Sequence, residues 1–237
     1  MADDRLKPEL IGDLLGLIAH DLRNPLSALH SNVSFLDSVF ADADEDAREA
    51  LADSIVSCDG LLHIIANLDL LAHALRGAHR LSSGPVPLAP LVADAAARVV
   101  GAAKSHAVEL VVDPALESLP TRVQTHRDML GRALGNLLHN AIQHGGSAAP
   151  VRVSAREQDG RAYVRVVDGG TPLAAELRES CFSAVGQLSC KGMGGGRYGR
   201  GIGLFSARVA AAAAGATVAW FQPDSGGNGF ELSVSVA

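Results

Sequence analysis

Two long segments at the start of the chain carry apolar residues at helical spacing. Leucine and other apolar side chains recur every three or four positions over residues 10–40 and again over residues 51–75, which predicts two amphipathic helices. The acidic stretch between them, residues 41–49, predicts a turn and then a helix start that Asp44 or Asp46 caps. Two helices with a short link form a hairpin, and its single unburied apolar seam predicts dimerisation into a four-helix bundle.

The rest of the chain alternates between helical and strand patterns. Residues 76–90 are rich in Gly, Ser and Pro, a composition typical of a linker. Beyond this stretch the pattern predicts helix 88–103, strand 107–112, helix 127–143, strands 151–157 and 161–167, helix 203–214, and strands 216–221 and 229–236. Helices with a largely antiparallel sheet predict a two-layer α/β sandwich. The predicted domains are the hairpin over 1–77, a linker over 78–90 and a second domain over 91–237.

A cluster of polar side chains stands inside the first helical segment. His20, Asp21, Arg23, Asn24 and Pro25 lie within seven residues, an arrangement that core packing does not require but that a helix using His20 as a nucleophile needs. Pro25 removes a backbone hydrogen bond and predicts a bend just after His20. A complete helix break is the alternative, but the apolar period that continues to residue 40 favours the bend.

Two segments of the second domain carry polar groups suited to a nucleotide. Asn136 and Asn140 share one face of a predicted helix, and an asparagine oxygen suits Mg²⁺ that bridges phosphates; two surface asparagines are the alternative. Asp168 ends a strand, where its carboxylate could accept a hydrogen bond from an adenine amino group and Gly170 could let the backbone lie against the base. Taken alone, Asp-Gly-Gly is more typical of an ordinary turn.

A glycine-rich run over residues 192–204 opens directly onto the predicted helix 203–214. Free amides and the dipole at a helix N-terminus attract anions, and Lys191, Arg197 and Arg200 add positive charge. A flexible linker is the alternative, but Arg, Tyr and Ile just before a helix start favour a phosphate-binding loop.

These four motifs resemble those of one enzyme family. The segment around His20 resembles the H-box of two-component sensor histidine kinases. The later segments resemble, in order, the N, G1 and G2 boxes of the Bergerat-type ATP-binding domain, which histidine kinases share with Hsp90, MutL and type II topoisomerases. The order of the four motifs is that of the histidine kinases, and the resemblance covers residues 10–236. It implies two domains, an all-α hairpin forming a dimeric four-helix bundle and a Bergerat-type α/β sandwich, in an ATP-dependent and Mg²⁺-dependent protein-histidine kinase.

The resemblance also implies roles for individual residues. His20 is the implied phospho-acceptor, Asp21 orients or deprotonates its ring, and Asn24 positions water when the protein acts as a phosphatase on its partner. Asn140 is the implied Mg²⁺ ligand. The implied ATP-binding residues are Asn136, Asn140, His144, Asp168, Gly170, Lys191, Arg197, Gly199, Arg200, Gly201 and Gly203.

Several positions depart from the family pattern. Gln143 stands where a phosphate-contacting Lys or Arg is common, and loss of one such contact costs about 1.5–3 kcal/mol, or one to two decades in affinity. The other departures are His126 for an Asp at the start of the N-box helix, Pro172 for a glycine of the G1 box, an F-box reduced to Phe182, Ala216 for a glycine, and Asn228 for a Thr near the adenine. We therefore expect an active kinase that is slow or binds ATP weakly. The alternatives are a histidine phosphotransferase relay with a degenerate ATP site, and a non-kinase ATPase of the same superfamily.

Composition and charge narrow the remaining possibilities. The 237 residues suffice for two modest domains, and a hydrophobic fraction of 48% with mean hydropathy +0.18 indicates a globular chain. A net charge of −6 argues against a nucleic-acid partner. Three cysteines without metal-ligand spacing indicate free thiols in a reducing compartment. An acidic N-terminus is not typical of a signal peptide, and the apolar stretch 203–221 indicates a helix and a strand, not a membrane span. We expect a cytoplasmic homodimer without membrane insertion whose partner is a response regulator receiver domain.

Overall fold

The computed structural model describes residues 8–40, 45–75, 82–116, 119, 121–146, 149–183 and 202–237. The chain divides into two compact units, Met1–His79 and Arg80–Ala237.

The first unit is the predicted helical hairpin. Helix α1 spans Pro8–Val39 and helix α2 spans Glu45–Leu75, and the two pack against each other. Helix α1 continues through Pro25 without interruption, so the break is excluded, as the continuing apolar period predicts.

Buried side chains and two charged contacts join α1 to α2. Ala19, Cys58, Ile65, Leu70 and Ala72 are buried. Arg23 Nη2 lies 3.6 Å from Asp69 Oδ2, and His30 Nε2 lies 3.1 Å from Asp59 Oδ1. Each ion pair links one turn of α1 to one turn of α2. Both pairs are partly exposed, so most of the stabilisation comes from the apolar seam and not from the ion pairs.

A second apolar stripe of the hairpin remains exposed. Ile18, Leu22, Leu29 and Leu36 are separated by four or seven residues, which places them on one face of α1, and each is at least 39% exposed. The other large apolar side chains exposed on the hairpin are Leu14, Leu17, Phe35, Val39, Phe40, Leu61 and Leu75. The hairpin alone therefore leaves a contiguous apolar surface in water, which marks an interaction site.

Helix α2 also has the composition of a membrane span. Within the described ranges it is the helix that is long and apolar enough to cross a membrane, with a mean hydropathy of 1.5 over a window that is 28% buried. This is weak evidence, because an apolar helix of a soluble helical hairpin has the same length and composition.

The second unit is an α/β sandwich. Its main sheet has the order β2-β4-β5-β7-β6, with β2 Leu110–Val112, β4 Val151–Gln158, β5 Arg161–Asp168, β6 Thr217–Phe221 and β7 Asn228–Ser235. Strands β2 and β4 are parallel and the other pairs are antiparallel. Helices α3 Leu88–Ser105, α4 Arg127–His144 and α5 Gly203–Ala213 complete the layer on one face. Short 3₁₀ turns lie at Pro114–Leu116 and Ala175–Leu177.

The core of the sandwich lies between α4 and the sheet. Helix α4 packs against both α3 and α5, and its apolar side chains repeat at helical spacing. The fully buried ones include Leu130, Leu134, Leu137, Leu138 and Ile142, and the sheet contributes Val151, Val153, Val164, Val166, Leu232 and Val234. The core is thus mainly aliphatic, in keeping with an aromatic content of 4%, although Phe230 is also buried in it.

The start of the sandwich differs from the predicted linker. Residues 84–87, placed in the linker of 78–90 by their composition, form strand β1 (Gly84–Pro87), which pairs antiparallel with β3 (Arg122–Thr125). Arg122 Nη2 donates a hydrogen bond of 2.8 Å to the Pro85 carbonyl. A proline in an edge strand loses no ladder hydrogen bond on its outer side. Proline therefore indicated a linker where the chain forms an edge strand, and the sandwich starts before the predicted boundary at residue 91.

Replacement of a core leucine of α4 tests the assignment of this core. Leu134→Ala removes a side chain that is 1% exposed, and we expect the free energy of unfolding to fall by about 2–5 kcal/mol. Val100→Ala is the control, because Val100 lies on α3 and is 42% exposed; we expect it to change stability by less than about 0.5 kcal/mol. Urea denaturation followed by circular dichroism measures both, and equal effects would contradict the assignment.

Candidate active site

His20 is exposed on α1 next to a carboxylate. Its Nδ1 lies 3.2 Å from Asp21 Oδ1, and the two side chains are 67% and 69% exposed. When Nδ1 carries the proton and donates it to Asp21, Nε2 keeps a free lone pair. Asn24 is exposed one turn later, and Pro25 has no N–H to donate to the backbone carbonyl of residue 21. The helix therefore presents a nucleophilic ring nitrogen to solvent.

Asp168 is a buried carboxylate with unequal oxygens. It ends β5 and is 1% exposed. Its Oδ1 accepts hydrogen bonds from the Gly170 N–H at 2.8 Å and from Asn228 Nδ2 at 3.2 Å. Its Oδ2 is buried and has no hydrogen-bond partner among the described residues. A buried acceptor without a donor is costly, and it suits a ligand that brings its own N–H.

Burial raises the pKa of Asp168 above its ordinary value of 3.8. Desolvation penalises the carboxylate, and hydrogen bonds from Gly170 and Asn228 only partly offset that penalty. Partial withdrawal from solvent also lowers the pKa of the His144 imidazole, although the nearby Asp168 acts in the opposite direction. The two groups therefore influence each other at one end of the sandwich.

Two glycines allow the backbone to close around Asp168. A Cβ on Gly170 would overlap the carbonyl oxygen of His144, and a Cβ on Gly227 would overlap the carbonyl oxygen of Asp168. Gly227 also has a φ of +76°, which other residues adopt only with strain. The last turn of α4, the end of β5 and the start of β7 therefore meet at van der Waals distance.

The predicted asparagine pair lies on α4. Asn136 is 5% exposed; its Nδ2 donates to the Arg132 carbonyl at 3.0 Å, while its Oδ1 is buried without a partner among the described residues. Asn140 is half-buried one turn later. Gly203 opens α5, and a Cβ there would stand 3.9 Å from Asn136 Oδ1. The start of α5 thus faces Asn136.

The structure brings together part of the predicted nucleotide site. Gly170 lies against both His144 and Asp168, and Gly203 lies near Asn136. Five residues of the predicted site lie outside the described residues, and their assignments stay predictions: Lys191, Arg197, Gly199, Arg200 and Gly201. In the described part, no group of three or more His, Cys, Asp or Glu side chains is arranged to hold a metal ion.

The structure also explains several departures from the family pattern. His126 caps α4, because its Nδ1 accepts a hydrogen bond from the Met129 N–H at 3.4 Å; imidazole replaces the usual carboxylate cap. Phe182 is buried and packs edge to face on Phe230. The hydrogen bond from Asn228 to Asp168 was not predicted. The only signal in the sequence was the position of Asn228 in place of a threonine.

Family models match both units of the chain. Residues 10–77 match the His Kinase A (phospho-acceptor) domain, and residues 125–237 match the histidine kinase-, DNA gyrase B- and HSP90-like ATPase family. The chain has the core of a two-component histidine kinase. The matched ranges contain every residue of the predicted site.

Relatives of this kinase core include longer sensor kinases. The sensor-like histidine kinase SenX3 of Mycolicibacterium smegmatis is 28% identical over 94% of this chain and 56% of the relative. The sensor histidine kinase ZraS of Klebsiella oxytoca is 30% identical over 78% of this chain and 38% of the relative. The chain thus spans about half of SenX3 and less of ZraS.

Solved structures share the fold of the kinase core. Full-length ShkA in complex with AMPPNP aligns with a TM-score of 0.61 and 23% identity over 95% of this chain and 46% of that chain. The Acinetobacter baumannii histidine kinase AdeS aligns with a TM-score of 0.55 and 17% identity over 91% of this chain and 97% of that chain. At these identities the likeness concerns the fold.

Replacement of the buried carboxylate by an amide tests the adenine contact. In Asp168→Asn the donors Gly170 and Asn228 hold the amide oxygen in the Oδ1 position, so the NH₂ group takes the Oδ2 position and faces the adenine amino group. We expect the affinity for Mg-ATP, measured by isothermal titration calorimetry, to fall about tenfold to hundredfold. Unchanged affinity would exclude Asp168 as the adenine acceptor.

The same variant has a second expected effect, on stability. Because the pKa of Asp168 is raised in the folded chain, wild-type stability from this group is complete below its unfolded pKa and is lost as the pH rises through the folded pKa. We therefore expect Asp168→Asn to melt higher than wild type at neutral pH, with the gap closing in acid. A lower melting temperature of Asp168→Asn at neutral pH would contradict a raised pKa of Asp168 in the folded chain.

Proposed function

We propose that this chain is an ATP-dependent protein-histidine kinase that autophosphorylates on His20 and transfers the phosphoryl group to an aspartate of a response regulator. The observation that carries the proposal is the buried Asp168 carboxylate, which keeps an oxygen without a hydrogen-bond partner among the described residues, next to the glycine backbone of its loop. Such an oxygen suits the amino group of adenine, and the exposed His20 suits a phospho-acceptor.

Different residues of the sandwich bind different parts of the nucleotide. Asp168 and Gly170 receive the adenine, and the backbone at Gly170 lies close enough to His144 to form one wall of the site. Asn140 offers an amide oxygen for Mg²⁺, which when bound would neutralise phosphate charge. The glycine-rich run with Lys191, Arg197 and Arg200 is assigned to the phosphates by resemblance.

The hairpin supplies the nucleophile. His20 Nε2 attacks the γ-phosphorus in line, the bond to the bridging oxygen breaks, and ADP leaves with the electron pair. The imidazole becomes cationic in this step, and Asp21 stabilises that charge through Nδ1–H. The phosphoryl group then moves to an aspartate oxygen of the receiver domain. Asn24, exposed one turn after His20, positions water in a phosphatase reaction on that partner.

A phosphoryl relay without ATP binding is the second candidate. The replacement of a basic residue by Gln143 favours it. The open oxygen of Asp168, the close approach at Gly170 and the cap that His126 provides for α4 favour a working nucleotide site. We therefore prefer the kinase, and we propose that it works as a cytoplasmic homodimer through the hairpin.

Replacement of His20 tests the phospho-acceptor. We expect His20→Gln to abolish labelling by γ-labelled ATP, and we expect the wild-type label to be lost in acid and kept in base, as for a phosphoramidate. Because His20 is exposed, the variant should keep its fold and its nucleotide affinity. Gel electrophoresis with acid and base treatment measures the label.

His30→Gln is the matched control for this experiment. His30 lies on the same helix and contacts Asp59, but it has no proposed part in the reaction, so labelling should persist. Undiminished labelling of His20→Gln would exclude His20 as the acceptor. Hydrolysis of ATP without any protein label in the wild type would favour the non-kinase ATPase.

The exposed apolar stripe predicts the oligomeric state. We expect the wild-type chain to be a dimer and Leu29→Asp/Leu36→Asp to be largely monomeric, because each carboxylate makes burial of that stripe costly. Ser31→Asp/Ser38→Asp adds the same charge at two exposed positions of α1 outside the stripe and should remain dimeric. Light scattering after size-exclusion chromatography measures the mass. A dimeric Leu29→Asp/Leu36→Asp variant would place the dimer contact on another face of the hairpin.

A further inference from the structure

Asn228 ties together the strand end and the loop of the nucleotide site. It stands directly across from Asp168 in the β5–β7 pair and is 5% exposed. Its Nδ2 donates hydrogen bonds to Asp168 Oδ1 at 3.2 Å and to the Thr171 carbonyl at 3.1 Å, and its Oδ1 accepts one from the Leu173 N–H at 2.8 Å. An amide has two N–H donors, and both are used within the protein.

The amide of Asn228 spans a proline. Thr171 and Leu173 flank Pro172, which has no N–H of its own, and Asn228 donates to one side and accepts from the other. A threonine hydroxyl has one donor, so it could not bind the Thr171 carbonyl and Asp168 at the same time. Asparagine at position 228 therefore matches the loop that contains Pro172.

The same amide decides which oxygen of Asp168 is available. The Gly170 N–H and Asn228 Nδ2 both donate to Oδ1, so rotation of the carboxylate by half a turn would only exchange the two oxygens and would break both bonds on the way. The oxygen without a partner among the described residues is Oδ2. The side chain of Asp168 is thus held in one orientation with a defined acceptor.

We propose that Asn228 is a positioning residue for nucleobase selection, which aims Asp168 Oδ2 at the exocyclic amino group of the purine without contacting the base itself. This inference rests on the proposed ATP-dependent function and deepens it. It predicts that Asn228 controls the preference for a base with an amino group more strongly than it controls affinity for the rest of the nucleotide.

The experiment compares two nucleotides on the full chain. Mg-ATP and the magnesium complex of purine riboside triphosphate, which lacks the 6-amino group, are titrated by calorimetry. We expect the wild type to prefer ATP about tenfold or more, since one hydrogen bond to a charged group is at stake. In Asn228→Ala the carboxylate keeps only the Gly170 N–H as a donor to Oδ1, so its orientation is held less firmly. We expect the preference for ATP to fall at least about threefold, or about half a decade, which calorimetry resolves.

Arg178→Met is the matched control. Arg178 Nε donates to the Leu173 carbonyl at 3.1 Å, so its loss loosens the same loop without touching Asp168. Methionine also keeps an apolar chain over the Trp220 ring, on which the guanidinium stacks at 4.3 Å. We expect Arg178→Met to keep the wild-type preference, even if its affinity for both nucleotides falls.

The outcomes separate this inference from the function on which it rests. A preference that is unchanged in Asn228→Ala, or lost equally in Arg178→Met, overturns the positioning role. Failure of the wild type to bind either nucleotide overturns the proposed ATP-dependent function. Asn228→Leu, which keeps the branching and the number of side-chain heavy atoms but forms no hydrogen bonds, replaces the alanine variant if thermal unfolding shows that the latter is not folded. The same loss of preference is expected.

Discussion

A half-satisfied carboxylate in a buried position is the constraint on which the sandwich domain depends. A buried carboxylate needs hydrogen-bond donors, and Gly170 and Asn228 supply them to Oδ1 of Asp168. Those donors require the end of β5, the start of β7 and the last turn of α4 to approach closely, which glycine permits at positions 170 and 227. The other oxygen, Oδ2, has no hydrogen-bond partner among the described residues, which lowers the stability of the domain. In our proposal a nucleotide that donates a hydrogen bond to Oδ2 removes this cost.

The hairpin follows the opposite principle. Its reactive side chain, His20, is 67% exposed and has Asp21 beside it, and its second apolar stripe faces water. In our proposal this histidine meets both a nucleotide and a receiver domain, which requires an accessible side chain. The proposed kinase thus combines a buried hydrogen-bond acceptor, Asp168, that recognises the nucleobase with an exposed nucleophile, His20, that receives the phosphoryl group.

Sequence patterns predicted the elements whose physical signal is local. Helix α4 was predicted over 127–143 and spans Arg127–His144, because its apolar period and its histidine cap act within a few residues. Strands β1 and β3 were not predicted, because they are short and their pairing is long-range. Asp168 was the hardest case. Its segment alone favours a turn, and the order of the four motifs was needed to assign it to the adenine. Its partner Asn228, sixty residues away, is a long-range contact that the local pattern does not contain.

The pKa of the Asp168 carboxyl group tests most directly whether Asp168 receives the nucleobase. It is measured by ¹³C NMR in a pH titration with and without Mg-ATP. We expect a pKa above the ordinary value of 3.8 in the free chain. In the complex with Mg-ATP we expect a lower pKa, because an amino group that donates to Oδ2 stabilises the ionised form. A pKa that does not change when Mg-ATP is bound would contradict the claim that Asp168 receives the nucleobase.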